Sequence, residues 1–409
     1  MSDALVYRRS VPRYLLARAL GRLGVRRLVP ALAPIRLEPS PARCPPGWIR
    51  LRTRLCGICG SDLQLLRGAE SFLMEPYASF PFVPGHEIVA EVADAPAGGG
   101  WRAGERVVVE PVLGCVARGI GPCPACARGE PNLCAHFTRG ALAPGLSLGY
   151  TAGPAGGMAP ECHAHPAQLV RVPDGLDDRR AVLTDSLACA LQAVLPVFPP
   201  DDATVLVLGA GILGQHVVRS LRAFGSTARV IVTARHAFQR DAALAGGADA
   251  ALRSPGRREL AEAAGGRFLP TTLGGGQVEG GAGLVFDCAG GTASLQEGLV
   301  QLRPRGTLVL VATSGAVGPI DLSPLWFREL RVTGSSLCGT TEFRGTRERT
   351  YERAVRLLAE RPDLWHGLVT HVVPLREHAR AFRTADDKAR FRSLKVAIDP
   401  RPGGDSAPS

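Results

Sequence analysis

Apolar and polar positions alternate in short runs from Trp48 to about Pro173: WIRLRTRL, EIVAEVA, RVVVEPVL and AQLVRVP, set apart by Gly- and Pro-rich stretches. A period of two residues predicts half-buried strands, and strands of this length and spacing predict an all-β, barrel-like unit with long loops. From Arg179 to about Ile320 the texture changes. A helical run (RRAVLTDSLACALQAVL) leads into strand TVLVLG, helix HVVRSLRAF, strand RVIVTA, helix FQRDAALAGG, strand LVFDCA, helix SLQEGLVQL and strand TLVLVAT. Strands alternating with such helices predict βαβ units on a parallel sheet. A helix over Glu348–Glu360 and an end strand LKVAI follow, and the last Pro-Gly-Ser residues are expected to be disordered.

The first 47 residues fit neither texture. Ala4–Tyr7 can open a strand, and Tyr14–Val29 has apolar residues at helical spacing with arginines between them. A basic amphipathic helix can lie on a membrane or bind a partner, but packing on its own domain is the expectation here. Prolines 30, 34, 39, 41, 45 and 46 then predict a stiff extended connection. The expected division is 1–47, 48–180, 181–325 and 326–409.

Composition narrows the function classes. With 409 residues, 45% hydrophobic and 21% charged, the chain is globular and large enough for two or three domains. No apolar run is long enough to span a bilayer and residues 1–15 lack a signal-peptide core, so a cytoplasmic protein without a membrane partner is expected. The net charge of +11 raises nucleic-acid binding as an alternative. All but two of the 48 basic residues are arginine, the exceptions being Lys388 and Lys395. That bias, with abundant Ala, Gly and Pro, reads as a coding-composition effect, and the arginines are scattered apart from a cluster at 8–27. No nucleic-acid partner is expected.

The segment Gly209-Ala-Gly211-Ile212-Leu213-Gly214 directly follows strand TVLVL and opens a helix. In that setting the first glycine serves the tight turn, the second lets the backbone approach a pyrophosphate, and the third lets helix and strand pack. The helix N-terminus supplies free N–H groups to phosphate. At the end of the next strand, where an acid would grip the ribose hydroxyls of NAD, the chain has Ala234 and then Arg235. Loss of the carboxylate and gain of a guanidinium favour NADP over NAD.

Eleven cysteines in a chain without an export signal argue for metal ligands or buried thiols. Cys123-Pro-Ala-Cys126 with Cys134 seven residues beyond makes a compact thiolate cluster, and Cys115 is the available fourth donor for a closed tetrahedral zinc site. Cys59, His86 and Asp185 form a second, widely spread set, suited to a zinc that keeps one position open for substrate. Cys56 and Cys59 also make a CxxC, but no thioredoxin-like context surrounds it. Cys44, Cys162, Cys189, Cys288 and Cys338 read as small buried hydrophobes.

From Trp48 to about Pro400 the chain resembles the zinc-dependent medium-chain dehydrogenases of the alcohol, sorbitol and threonine dehydrogenase family. The stretches that carry the resemblance are GICGSD, PGHE, AGERVVV, the cysteine run from Cys123 to NLC at Cys134, GAGILG and LWFRELRVTGS, in the family's order. The resemblance implies an α/β protein with a GroES-like β-rich catalytic domain, closed by the C-terminal segment, around a Rossmann domain with a doubly wound parallel sheet. It implies NAD(P)-linked interconversion of an alcohol, polyol or sugar and its carbonyl, and a homodimer or homotetramer.

Residue by residue, Cys59 and His86 match the catalytic zinc ligands, and Asp185 stands where relatives place a third. Glu87 matches the acid beside the zinc, Asp62 the acid that orients the metal-bound histidine, and Ser61 the hydroxyl that takes the alcohol's proton. Three departures stand out. The first structural cysteine would fall at Ile120, so Cys115 must substitute from a longer loop. Gln64 replaces a relay histidine, and the Tyr14–Val29 insertion has no common counterpart. A zinc-free quinone or enone reductase is the alternative enzyme, and a non-catalytic, zinc-stabilised nucleotide-binding protein is the alternative of another class.

Overall fold

The computed structural model describes residues 2–23, 32–96, 100–312, 315 and 317–403. The chain divides into two compact units. The first is Met1–Asp185 with Cys338–Thr340 and Glu348–Ser409, and the second is Ser186–Leu337 with Thr341–Arg347.

In the first unit, β1 (Asp3–Tyr7) and β2 (Ile35–Pro39) pair antiparallel. The proline-rich connection thus contains a strand, because Ile35–Pro39 has a partner that its own composition does not announce. Helix α1 spans Val11–Arg22, starting ahead of the predicted Tyr14; the rest of that predicted run lies beyond Leu23 and outside the described residues. The alternating runs become β3 (Ile49–Gly57), β4 (Glu87–Asp94) and β5 (Arg106–Val109), followed by β6 (Glu161–Ala164) and β7 (Leu169–Arg171). Along β3, Ile49, Leu51, Thr53 and Leu55 point inward and Arg50 and Arg52 outward, the two-residue period that drives one face into the core. Trp48, Ile88, Val92, Val107 and Leu169 complete that core. Each fully buried aliphatic side chain contributes about 1.5–3 kcal/mol. Helix α2 (Gly60–Leu66) follows β3 and carries Ser61 and Asp62 in its first turn.

The second unit begins within helix α3 (Thr184–Val194). Strands β8 (Thr204–Leu208), β9 (Arg229–Thr233) and β10 (Ala250–Leu252) alternate with helices α4 (Ile212–Ala223) and α5 (Ala237–Ala245). A small antiparallel pair, β11 (Arg267–Pro270) and β12 (Gly276–Glu279), precedes β13 (Ala282–Asp287), helix α6 (Thr292–Gln301), β14 (Leu302–Leu310) and β15 (Arg331–Gly334). The sheet order is β10-β9-β8-β13-β14-β15, and every pairing in it is parallel. The order reverses beside β8, so the turn after its carboxyl end sits at the switch point where open α/β sheets bind ligands.

A short pair, β16 (Thr340–Phe343) and β17 (Thr346–Arg349), leads back to the first unit. There β18 (Val369–Pro374) and β19 (Lys395–Asp399) extend its sheet to the order β18-β19-β3-β4-β5-β7, with β6 also paired to β3. The last strand of the chain therefore lies against β3, beside the residues that lead into α2.

Candidate active site and cysteine lobe

Cys59 is the N-cap residue of α2, and its backbone N–H donates to Asp62 Oδ2 at 2.8 Å. His86 and Glu87 sit where the chain enters β4. The metal-donor atoms of Cys59, His86 and Glu87 all lie within 4.8 Å of one another. Burial works against a charge on His86, yet Cys59, Asp62 and Asp185 around it hold its pKa well above the usual imidazole value. Asp185 is buried and its carboxyl is pushed up to about 7 by that burial, with His86 pulling the other way. Burial likewise raises Asp62. His86 Nδ1, Asp62 Oδ1 and Asp185 Oδ1 are buried with no hydrogen-bond partner. Cys56, the other half of the CxxC, is fully buried, and burial keeps its thiol well above the ordinary value.

The structure thus brings Glu87, rather than Asp185, into the tight set with Cys59 and His86. Glu87 is already engaged, however. Lys395 Nζ donates to its two carboxylate oxygens at 2.6 and 2.5 Å and to Ile58 O at 3.2 Å, and both side chains are 1% exposed. A buried, satisfied carboxylate is a poorer donor to a cation than one whose oxygen has no partner.

Tyr150 lies beside this set. Its ring packs on His86 (centroids 6.0 Å) and Phe82 (5.7 Å). Ser61 and Glu70 are its polar neighbours, but neither closes a bond of good geometry, and its hydroxyl is buried without a partner. Burial, reinforced by the charge of Asp62, pushes the Glu70 carboxyl up to about 7.

The sulfurs of Cys115, Cys123, Cys126 and Cys134 form the second donor set, again within 4.8 Å of one another. The chain from Cys115 turns back immediately: the Cys123 amide donates to Cys115 Sγ at 3.3 Å, and Cys115 and Cys134 sulfurs are 3.6 Å apart. Ile120, where the first cysteine was expected by resemblance, only packs against the cluster. The backbone amides of Cys126 and Ala135 pull the Cys123 thiol down to about 6, toward the thiolate a metal requires. Next to the cluster Arg118 is 0% exposed. Its guanidinium donates to the carbonyls of Leu113, Arg139, Leu142, Ala143 and Gly145 at 2.5 to 3.2 Å, gathering a loop with no regular structure of its own.

In the second unit, Gly209 has φ +98°, and a Cβ on Gly214 would stand 2.0 Å from Gly209 O. The turn from β8 into α4 therefore depends on both glycines. Gly211 is the N-cap residue, which leaves the N–H groups of Ile212, Leu213 and Gly214 to begin the helix.

Residues 45–174 match the family model described as alcohol dehydrogenase GroES-like domain, and residues 213–360 match zinc-binding dehydrogenase. The probable zinc-binding alcohol dehydrogenase of Mycobacterium tuberculosis is 30% identical over 360 residues, covering 86% of this chain and 82% of that protein. The chain belongs to the zinc-dependent medium-chain dehydrogenases. Among solved structures of comparable similarity, the Escherichia coli rspB alcohol dehydrogenase complexed with NADH shows a TM-score of 0.68 and 25% identity, covering 89% of this chain and 94% of its own. A zinc-binding dehydrogenase from Sinorhizobium meliloti bound to NADP also shows 0.68, with 27% identity and 90% and 95% coverage. The protein is thus an oxidoreductase of the alcohol dehydrogenase type, with a GroES-like and a Rossmann-like part, zinc and a nicotinamide cofactor.

This dehydrogenase has Ala234 buried at the end of β9 and Arg235 exposed beside it. One turn into α5, Arg240 Nη1 is buried with no partner. No described helix is long and apolar enough to cross a membrane. The roles of Lys395, Arg118 and Tyr150 are marked by no motif in the sequence. For Lys395 there was a signal: it is one of two lysines in an arginine-rich chain. A compact ammonium fits an enclosed carboxylate where a planar guanidinium does not.

Proposed function

We propose that Cys59, His86 and Asp185 hold the catalytic zinc, with Glu87 kept aside by Lys395, and that Cys115, Cys123, Cys126 and Cys134 hold a second, structural zinc. The observation that carries this reading is that the donor atoms of Cys59 and His86 lie within 4.8 Å of each other, while His86 Nδ1, Asp62 Oδ1 and Asp185 Oδ1 are buried without partners and Asp62 and Asp185 act on His86. Buried metal-ligating groups left without partners are costly, and a divalent cation would satisfy them. When bound, zinc at this position supplies Lewis-acid polarisation of the substrate oxygen. Ser61, in the first turn of α2, takes the proton of the alcohol. Asp62 fixes Cys59 through its backbone amide, and its charge helps to hold the His86 pKa up. Gly209, Gly211 and the N–H groups of Ile212, Leu213 and Gly214 hold the pyrophosphate. Ala234, Arg235 and the unpartnered Arg240 support NADP over NAD.

A homodimer is the favoured assembly. Trp326 and Phe327 are each 72% exposed and Val332 42%, next to β15, an edge strand that can pair with its own copy across a two-fold axis. A cytoplasmic location goes with this reading. No observation favours the zinc-free reductase or the inactive binding protein.

Zinc per chain, measured by elemental mass spectrometry on protein purified without chelator, tests the assignment. Two are expected. Cys59→Ala should remove one together with alcohol oxidation, and Cys115→Ala should remove the other. Full activity in Cys59→Ala with its metal retained would overturn the assignment.

A further inference from the structure

The arginine-rich run that contains α1 supplies no atom to either donor set. From Ala4 to Leu37 the chain has eight arginines and no acidic residue. A surface helix of a globular protein turns its large apolar side chains inward and its polar ones out. Helix α1 does the reverse. Ala17 is buried against the first unit, with Leu20 partly covered beside it, whereas Val11, Leu15 and Leu16 are exposed, as is Leu23 just past the helix end.

A 3-10 turn over Phe72–Tyr77 lies against this helix. The Tyr14 and Phe72 ring centroids are 6.0 Å apart, and the Arg18 guanidinium sits over the Phe72 ring at 5.1 Å. Arg9 pairs with Glu75 at 3.3 Å and ties the start of the helix to the same turn. Phe72 is nevertheless 60% exposed and Leu73 84%. Two apolar exposures thus adjoin, with Arg8, Arg9, Arg13 and Arg18 on or next to α1. Scattered exposed leucines need no explanation, but a patch of them marks a surface that something covers.

We propose that α1 and the turn at Phe72–Tyr77 dock on a bilayer surface that carries anionic lipid. Leu15, Leu16 and Leu73 enter the boundary between headgroups and acyl chains, and the arginines meet the headgroup charge. This runs against the expectation of no membrane partner. That no described helix can cross a membrane does not bear on one that lies in its surface. Charge complementarity selects this occupant over others. A second copy would set two arginine-rich rims against each other, and the acids in reach, Glu38 and Glu75, already pair with Arg8 and Arg9. Nucleic acid would take the guanidinium groups but leave the leucines in water. An anionic bilayer satisfies both. The proposal does not depend on zinc or on the dehydrogenase reading.

The test is flotation of the full-length enzyme with vesicles at physiological ionic strength. Vesicles of phosphatidylcholine mixed with phosphatidylglycerol are compared with phosphatidylcholine alone. Partitioning onto the mixed vesicles should be higher by at least about tenfold, since each arginine near an anionic surface is worth about fivefold. Leu73→Glu should lower it at least about tenfold, by taking a leucine out of the interface. Leu15→Glu, on the other segment, should do the same, so that the result does not hang on the folding of one variant. Arg13→Ala should cost about fivefold. Circular dichroism and zinc content should match the wild type in all three. Equal partitioning onto both kinds of vesicle, or none onto either, would overturn the proposal. So would binding that persists in both glutamate variants, because net charge alone would then explain it. A Leu73→Glu enzyme that loses only self-association in sedimentation would give the patch to a second copy. Retention on duplex DNA as strong as on mixed vesicles, and indifferent to Leu73→Glu, would give it to nucleic acid.

Discussion

Two sets of donor atoms, each gathered within 4.8 Å, differ in how their surroundings are satisfied. Around the four cysteines, backbone amides donate to sulfur and the five carbonyls nearest Arg118 are gathered by one guanidinium. Around Cys59 and His86, three buried polar atoms of the cluster have no partner, and a fourth, on Tyr150, is left open beside them. A closed set with its neighbours satisfied suits a support, because there is no vacancy for chemistry. An open one stores unmet hydrogen-bonding and charge demand, which in the proposed reading metal and substrate relieve. Glu87 and Lys395 are the exception within the open site: a pair complete in itself, which leaves the vacancy to others.

That contrast can be broken most severely at Lys395. Replacing it with Met strands a buried carboxylate, and the expected loss is about 3–5 kcal/mol in urea unfolding. The double variant with Glu87→Gln should recover much of it, since no charge is left uncompensated. A loss below about 1 kcal/mol in the single variant would mean that water reaches Glu87. In the closed lobe, Arg118→Met removes all the donors to five carbonyls at once. The lobe should become sensitive to trypsin and release its zinc, while the zinc at Cys59 stays; loss of both metals together would show that the two sites are not independent.

The smallest effect is a slope. Glu70 has a pKa raised from 4.5 to about 7 in the folded chain, with burial as the first cause. Between those values the folded chain keeps a proton that the unfolded chain has released, so the contribution of Glu70 to stability is complete below about 4.5 and is lost as pH rises through about 7. Glu70→Gln should flatten the decline of unfolding free energy across that window. An unchanged slope would place Glu70 in contact with bulk water and weaken its part in the open site.

How much of this could be read beforehand depends on the distance over which each partner is set. The turn at 209–214 and the cysteine run 123–134 are local: their spacing alone dictates tight backbone approach and clustered sulfur. The β-rich and βαβ textures were legible because the hydrophobic period changes from two residues to strands alternating with helices. Strand β2 was hidden in a proline-rich stretch because its partner, β1, lies on the far side of α1. Lys395 pairs with Glu87 across 308 residues, and no window of sequence contains both. Arg118 was one arginine among dozens, and only its burial distinguishes it. Asp185 and Glu87 were both visible as acids beside the expected metal ligands, but which of them is spoken for depends on Lys395.

The placement of β19 also bears on how the chain is made. During synthesis β3 and β4, with Glu87 at the entry to β4, emerge long before the strand that supplies Lys395. Until the ribosome has delivered the segment that carries Lys395, the first unit has an uncovered sheet edge at β3 and a carboxylate with no counter-charge. The second unit, encoded almost entirely in between, has all six of its parallel strands available earlier and can fold while the first waits. A nascent chain stalled or clipped a few residues before Lys395 would be a substrate for quality control, although both donor sets and all six parallel strands of the second unit had been made.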